Sequence, residues 1–382
     1  MKKQKLVFFS ALPPYRGGIA QFSQRLLKEL EKSFNTVAFT FKSQYPRWLF
    51  PGKTQLVTNL SISKDYERIV STFNPFTYFT SLRKIKNENP EIFVVNYWMT
   101  FMSPMYVFWV KRLPKDTLKV AVVHNFIPHE SRFFDRLFNK RFVNNFDLFI
   151  ALSSQVEKDI LAANPKAKVL QLSHPSYDHF EDPVDAVSAR KILKIHEDKQ
   201  TLLFFGIIRD YKGLDILIRA FSLLPSSFQL VIAGEVYGSA NEYKLLIQQS
   251  KNQNIFFFNE FILDEQVHIY FSSADLCVLP YRSGTQSGVK AIADRMSIPC
   301  LVSKVGGIAE KINDFTDGFV LKELNPIGLK NKIMRIFEGN TLFEVKENIV
   351  LKNKSEEFSW GIFTENMVVR MKETCRFQVN EH

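Results

Sequence analysis

The sequence predicts an α/β protein made of two Rossmann-like domains, each a doubly wound parallel sheet, facing one another across a cleft. Three observations carry that expectation. Short apolar runs recur, each followed by a polar or glycine-containing loop and then a segment of helical period. That order of strand, loop and helix builds parallel sheets covered on both faces. The pattern runs through residues 1–172, breaks at a polar stretch over 175–200 and resumes at Leu202. Finally, 382 residues with 46% hydrophobic content can bury two full-size cores. The domain boundaries drawn on this basis are 1–175 and 176–355.

In the first half, residues 5–12 (KLVFFSAL) read as a buried strand running into Pro13-Pro14-Tyr15-Arg16-Gly17-Gly18. An amphipathic helix follows over 21–32, with Phe22, Leu26, Leu27 and Leu30 at helical spacing. The Gly17-Gly18 loop suits a phosphate or sugar, or serves simply as a tight turn. Residues 37–40 are a second strand, and 45–75 an irregular, aromatic-rich surface insertion. A helix over 76–86 and a strand over 92–95 come next. Residues 118–123 form a strand ending in His124-Asn125-Phe126-Ile127-Pro128-His129-Glu130. A histidine at the carboxyl end of a parallel strand either meets ligand or is held structurally. No metal site is expected, because His124, His129 and Glu130 straddle a proline-containing loop rather than sharing a helix face. A helix over 131–144, a strand over 148–153, a helix over 155–163 and a strand over 169–172 complete the half.

The polar stretch reads as linker plus a short helix over 187–193. A strand over 202–205 then enters the loop Gly206-Ile207-Ile208-Arg209-Asp210-Tyr211-Lys212-Gly213, followed by a helix over 214–224. A strand over 230–233 ends in Gly234-Glu235 and precedes a helix over 242–250. A short strand at 255–257 and a helix over 264–272 lead to a buried strand at 276–280. Its loop is Ser283-Gly284-Thr285-Gln286-Ser287-Gly288. A helix over 289–296 stopped before Pro299, a strand over 300–303, Gly306-Gly307 and Glu310 follow. Free N–H groups at that helix start favour a phosphate, and Gly288 permits close backbone approach. Arg209 and Lys212, separated by Asp210-Tyr211, form a clamp for a diphosphate or, taken alone, a solvated pair. Glu235 accepts from a sugar or base, or is a surface carboxylate. Glu310 is expected to cap a helix after the glycines. Neither the Walker A spacing nor the G-x-G-x-x-G fingerprint occurs, and no nucleophile–base pair of hydrolase type is evident.

The net charge of +11 is concentrated in residues 1–175, where 26 Lys+Arg face 12 Asp+Glu. A basic half interleaved with Phe and Trp favours an anionic membrane surface as partner, with a solvated basic surface as the plainer reading. No nucleic-acid module is recognisable, and nucleic acid is not expected. Cys277, Cys300 and Cys375 share no metal-ligand spacing and point to a reduced compartment. The apolar run near the start is short and ends in Pro13-Pro14, so it reads as a strand rather than a signal peptide. Residues 93–110 carry no charge but hold Asn96, Thr100, Ser103 and Pro104. That suits strand, loop and helix start better than a spanning helix. The expected location is cytoplasmic, or peripheral on the inner face of the membrane.

Five separated stretches carry a resemblance: PPYRGGIAQF, HNFIPHE, FFGIIRDYKGLDILIRAF, VIAGE and PYRSGTQSGVKAIADRMSIPCLVSKVGGIAE. In order and spacing they resemble the GT-B-fold retaining glycosyltransferases of family 4, over nearly the whole chain. The resemblance implies a nucleotide-diphosphate-sugar donor held mainly by the C-terminal domain and a glycan or lipid-linked acceptor held mainly by the N-terminal one. It implies no cofactor and no metal, and a place in surface polysaccharide or glycolipid synthesis. It also implies that FSWGIF opens a terminal helix, 356–382, returning to the N-terminal domain.

By matching position, Gly17 and Gly18 would lie beside the donor phosphate and acceptor. His124 would contact the donor sugar and stabilise charge near the reacting carbon. Arg209 and Lys212 would bind the diphosphate and stabilise the leaving group. Thr285, Gln286, Ser287, Gly288 and Val289 would offer backbone N–H groups to phosphate and sugar hydroxyls, with Gly206 and Glu235 completing the donor site. The chemistry implied is front-face transfer with retention, the leaving phosphate helping to deprotonate the acceptor hydroxyl. Typical members carry two glutamates at the positions of Thr285 and Ala293. Asp294 is rotated about 100° from Ala293 along the helix and is a poor substitute. A branch with T-Q-S-G in this loop looks similar. The departure raises an alternative: a catalytically silent GT-B protein that binds nucleotide sugar or scaffolds a partner.

Overall fold

The computed structural model describes residues 3–45, 54–56, 66–127, 135–175, 180–284, 287–310, 312–353 and 359–380. The chain divides into two compact units, Met1–His174 with Ser359–His382, and Pro175–Phe358.

The first unit runs β1 (Lys5–Phe9), α1 (Gly18–Ser33), β2 (Asn35–Ser43), β3 (Glu67–Ser71), α2 (Phe76–Asn87), β4 (Ile92–Tyr97), α3 (Ser103–Val110), β5 (Leu118–Val123), α4 (Asp135–Val143), β6 (Leu148–Ala151), α5 (Ser154–Ala163) and β7 (Val169–Gln171). Its strands form one parallel sheet in the order β3-β2-β1-β4-β5-β6-β7. The central strands read as unbroken apolar runs because helices cover both faces. Val7, Phe9, Phe93 and Val95 pack on one side, and Leu6, Phe8, Ile92 and Val94 on the other. Each fully buried Phe or Val contributes roughly 1.5–3 kcal/mol relative to exposure. The α1 stripe of Phe22, Leu26, Leu27 and Leu30 seals the second side.

One segment differs from expectation, and a second follows it. The stretch 45–75 contains β3, the edge strand beside β2, of which only Ile69 and Val70 are fully buried. An edge strand with one half-covered face shows little apolar periodicity. Residues 46–53 and 57–65 of the expected insertion lie outside the described residues. The uncharged stretch 93–110 folds as β4, a 3-10 turn at Thr100–Met102 and α3, with Pro104 in the first turn of α3. Among the described residues no helix is long and apolar enough to cross a membrane.

The second unit runs α6 (Ala186–Leu193), β8 (Gln200–Phe205), α7 (Leu214–Phe221), β9 (Phe228–Ala233), α8 (Asn241–Gln248), β10 (Ile255–Phe258), α9 (Asp264–Ser272), β11 (Leu276–Leu279), α10 (Gly288–Arg295), β12 (Cys300–Ser303), β13 (Phe319–Leu321), α11 (Pro326–Ile336) and α12 (Thr341–Asn353). The sheet order is β10-β9-β8-β11-β12-β13, again parallel. The last helix, α13 (Trp360–Asn380), belongs to the first unit, where Trp360, Phe363, Met367 and Met371 join the α1 cluster.

Candidate active site

Strand order reverses once in each sheet, between β1 and β4 and between β8 and β11. At such a reversal the loops leaving the two central strands diverge to opposite faces, opening a crevice at their carboxyl ends. In the second unit those loops are 206–213 and 280–287, which hold the clamp and the small polar loop singled out in the sequence.

Their backbones interlock through glycine. Gly213 sits at φ +68, and a Cβ there would stand 2.1 Å from the Pro280 carbonyl oxygen. Gly234, at φ +152, likewise passes so close to Gly206 that a Cβ would meet its carbonyl oxygen at 2.1 Å. Only glycine accommodates both the conformation and the approach. The Ile208 amide donates to the Glu235 carbonyl at 2.9 Å, extending the contact between the loops after β8 and β9.

Lys212 turns inward from the 3-10 turn Asp210–Lys212 and is 8% exposed. Its Nζ lies 3.5 Å from where a Cβ on Gly206 would stand and 5.6 Å from the centre of the Tyr281 ring. Val289 reaches the same Gly206 position at 3.3 Å. The Tyr281 hydroxyl is 3.5 Å from Ser287 Oγ, and Ser287 caps α10 by accepting from the Lys290 amide. Gly206, Lys212, Ser287 and Val289, with Gly288 opening α10, are thus brought together around Tyr281. Thr285 and Gln286 lie outside the described residues.

Among the described residues no carboxylate pairs with Lys212. Burial, and then the like charge of Arg209, lower its ammonium from the usual value to about 8. Arg209 begins the turn in extended conformation, its carbonyl accepting from the Lys212 amide at 3.0 Å. Glu235 is 2% exposed, so it is not a surface carboxylate.

Two residues that sequence reasoning did not single out support this cluster. Tyr281 supplies its floor. Arg282 donates to Asp215 Oδ2 at 2.7 Å and to the Asp210 carbonyl at 2.6 Å, tying the loop after β11 to the start of α7. The only available signal was a Tyr-Arg pair directly following a buried apolar run.

One expectation changes. Residues 306–310 form turns rather than a helix, so Glu310 caps no helix among the described residues. The Glu310 amide instead donates to Gly307 at 3.4 Å. The backbone tightens here because Gly306 adopts φ +48. As the sequence indicated, the position where the resemblance places a glutamate is apolar: Ala293 is wholly buried in the cluster with Ile292, Met296 and Ile298. Asp294 pairs with Lys290 at 2.6 Å.

In the first unit, Gly17 stands at φ +97 before α1, and Gly18 is its first residue. His124 leaves β5 with its amide donating to the Tyr97 carbonyl at 2.9 Å. It is 2% exposed and meets Phe22 edge to face at 4.7 Å. Burial, helped by neighbouring His174, lowers its pKa to about 3, so the imidazole is neutral at physiological pH. His129 and Glu130 lie outside the described residues, among which no cluster of three metal-ligating side chains occurs.

Residues 186–355 match the family described as Glycosyl transferases group 1. The uncharacterized glycosyltransferase MJ1069 of Methanocaldococcus jannaschii is 22% identical over 94% of this chain and 96% of its own. The lipopolysaccharide 1,2-N-acetylglucosaminetransferase of Salmonella typhimurium is 28% identical over 49% of this chain and 51% of its own. Alr3699/HepE of Anabaena, solved in complex with UDP-glucose, superposes with a TM-score of 0.74 at 15% identity, covering 99% of this chain and 100% of that one. The fold is therefore GT-B along nearly the whole chain, and residues 186–355 carry the pattern of the group 1 glycosyl transferases, which together support a glycosyltransferase.

Proposed function

We propose that this chain is a retaining glycosyltransferase of family 4. It moves a sugar from a nucleotide-diphosphate sugar to a hydroxyl of a glycan or lipid-linked acceptor, in surface polysaccharide or glycolipid synthesis. One observation carries the reading. Lys212 is a buried ammonium at the strand-order reversal, beside a second cation, with no carboxylate partner among the described residues. A buried unpaired charge is costly, and a diphosphate would relieve that cost. The UDP-glucose bound to Alr3699/HepE and the lipopolysaccharide acceptor named for the Salmonella relative support the donor and acceptor classes.

On this reading the bond from the anomeric carbon to the β-phosphate oxygen breaks. The acceptor oxygen bonds to the same face, and its proton passes to the leaving phosphate. Arg209 and Lys212 stabilise the negative charge that grows there. Ser287, Gly288 and Val289, with Thr285 and Gln286, offer N–H groups to phosphate and sugar; Gly206 and Glu235 belong to the same donor site. Gly17 and Gly18 serve the phosphate and acceptor. His124 acts as a neutral hydrogen-bonding group toward the donor sugar rather than as a cation. The two cations supply the charge that a metal supplies elsewhere, so chelators leave turnover unchanged.

The test is incubation of purified protein with a panel of nucleotide sugars and glycan or lipid-linked acceptors, with the product anomer read by NMR. Acceptor-dependent release of nucleoside diphosphate with retained configuration is expected. Absence of both transfer and hydrolysis with every donor overturns the reading. The apolar burial of Ala293 favours a second one, a catalytically silent protein, whose mark is nucleoside diphosphate binding without turnover.

A further inference from the structure

The first unit displays an aromatic surface that its own core does not use. Phe76 is 83% exposed, Phe79 61% and Phe73 48%. All three lie at the start of α2 or in the turn before it. Phe73 stacks on Phe101 at 5.4 Å, and Phe79 meets Phe108 edge to face at 4.8 Å, so the 3-10 turn and α3 extend the same patch. Monomeric proteins seldom expose clustered rings without a partner.

Cations edge this patch. At 100° per residue, Phe76, Phe79, Arg83 and Lys86 fall on one exposed stripe of α2, the rings in its first turns and the charges in its last. Arg112 lies 4.0 Å over the Phe108 ring. Two acids on adjoining segments are engaged elsewhere, Glu67 with Lys84 and Glu88 with Lys5. Among the described residues no carboxylate pairs with Arg83, Lys86 or Arg112. Rings that enter a headgroup layer beside cations that reach phosphates are the chemistry of an interfacial anchor.

We infer that this face of α2, with Phe73 and Arg112, docks the protein onto an anionic phospholipid bilayer. The anchor is independent of the donor site and would hold the protein where lipid-linked acceptors reside. It therefore deepens the acceptor part of the proposed function without resting on turnover.

The test is co-sedimentation of the full chain with phosphatidylcholine vesicles, with and without phosphatidylglycerol, across a salt series. Wild type should partition at least about tenfold more strongly onto the anionic vesicles and be released by salt. Phe76→Ser with Phe79→Ser should cut that partition at least about tenfold, with an unchanged unfolding midpoint and unchanged nucleoside diphosphate binding. Arg83→Glu with Lys86→Glu should abolish the preference for anionic over neutral vesicles. Equal vesicle binding by wild type and the double Phe variant overturns the inference. So does a self-associated wild type that the Phe substitutions dissolve, which would assign the patch to a second copy. Loss of nucleotide binding in wild type would count against the donor site while leaving this inference standing.

Discussion

Arg282 Nη2 lies 2.7 Å from Asp215 Oδ2, and Nη1 of the same guanidinium reaches the Asp210 carbonyl. One side chain thereby fastens the loop after β11 to residues on both sides of Lys212, Asp210 in its loop and Asp215 at the start of α7. The carboxylate raises the guanidinium pKa further, so the staple is permanent across the working range. Arg282→Met should loosen the clamp without touching ligand. Because the side chain is about one third exposed, the loss of stability should stay near 1 kcal/mol. Nucleoside diphosphate affinity should fall about fivefold, the equivalent of that energy. Calorimetric unfolding and nucleotide titration check both.

Gly213→Ala should be worse. The new Cβ would meet the Pro280 oxygen at 2.1 Å, at a φ of +68 that side chains rarely adopt. Strain of this kind costs roughly 1–3 kcal/mol before the clash is added. Urea denaturation should show the destabilisation, and nucleotide titration a loss of binding.

Lys212 gives a pH signature. Its ammonium titrates near 8 in the free protein, and a bound phosphate would raise that value. Binding should therefore take up a proton. Affinity should weaken as pH rises above about 8, by roughly tenfold per unit until the bound-state pKa is reached. In the unliganded protein the sign is the reverse of a stabilising lysine: the unfolded state holds the proton more tightly, so stability rises as pH climbs from 8 toward the ordinary lysine value. Titration calorimetry in buffers of different ionisation enthalpy reads the proton uptake directly.

His124 predicts acid sensitivity. Its folded pKa of about 3 lies below the ordinary histidine value. The unfolded chain thus gains a proton first as pH falls, and stability is lost from about 6.5 downward. The contribution between pH 7 and pH 5 should be about 2 kcal/mol. His124→Gln should flatten that part of the stability–pH curve by the same amount in urea denaturation.

The central strands were legible because both of their faces are buried. Runs such as Leu6–Phe9 and Leu276–Leu279 carry no polar interruption, and glycines mark the loops that leave them. β3 was not legible, since only Ile69 and Val70 are fully covered. β13 is too short to show a period. α11 carried a signal that was passed over, an Asn325-Pro326 helix start followed by Leu329, Ile333 and Ile336 at helical spacing, while α12 buries only Val345 and Ile349. The cations of the candidate site stood out as residue types. Their environment did not: Lys212 is buried only because Gly213 lets its loop pass against Pro280 and Tyr281 closes the floor. Such contacts join loops distant in sequence and leave no local periodicity.

The most direct measurement is titration of nucleoside diphosphates, uridine, guanosine, adenosine and thymidine in turn, into wild type and Lys212→Ala. At least one should bind wild type, and the substitution should weaken it by roughly 10- to 100-fold, with the fold retained. Failure of all four to bind wild type, or an affinity unchanged by Lys212→Ala, would contradict the account.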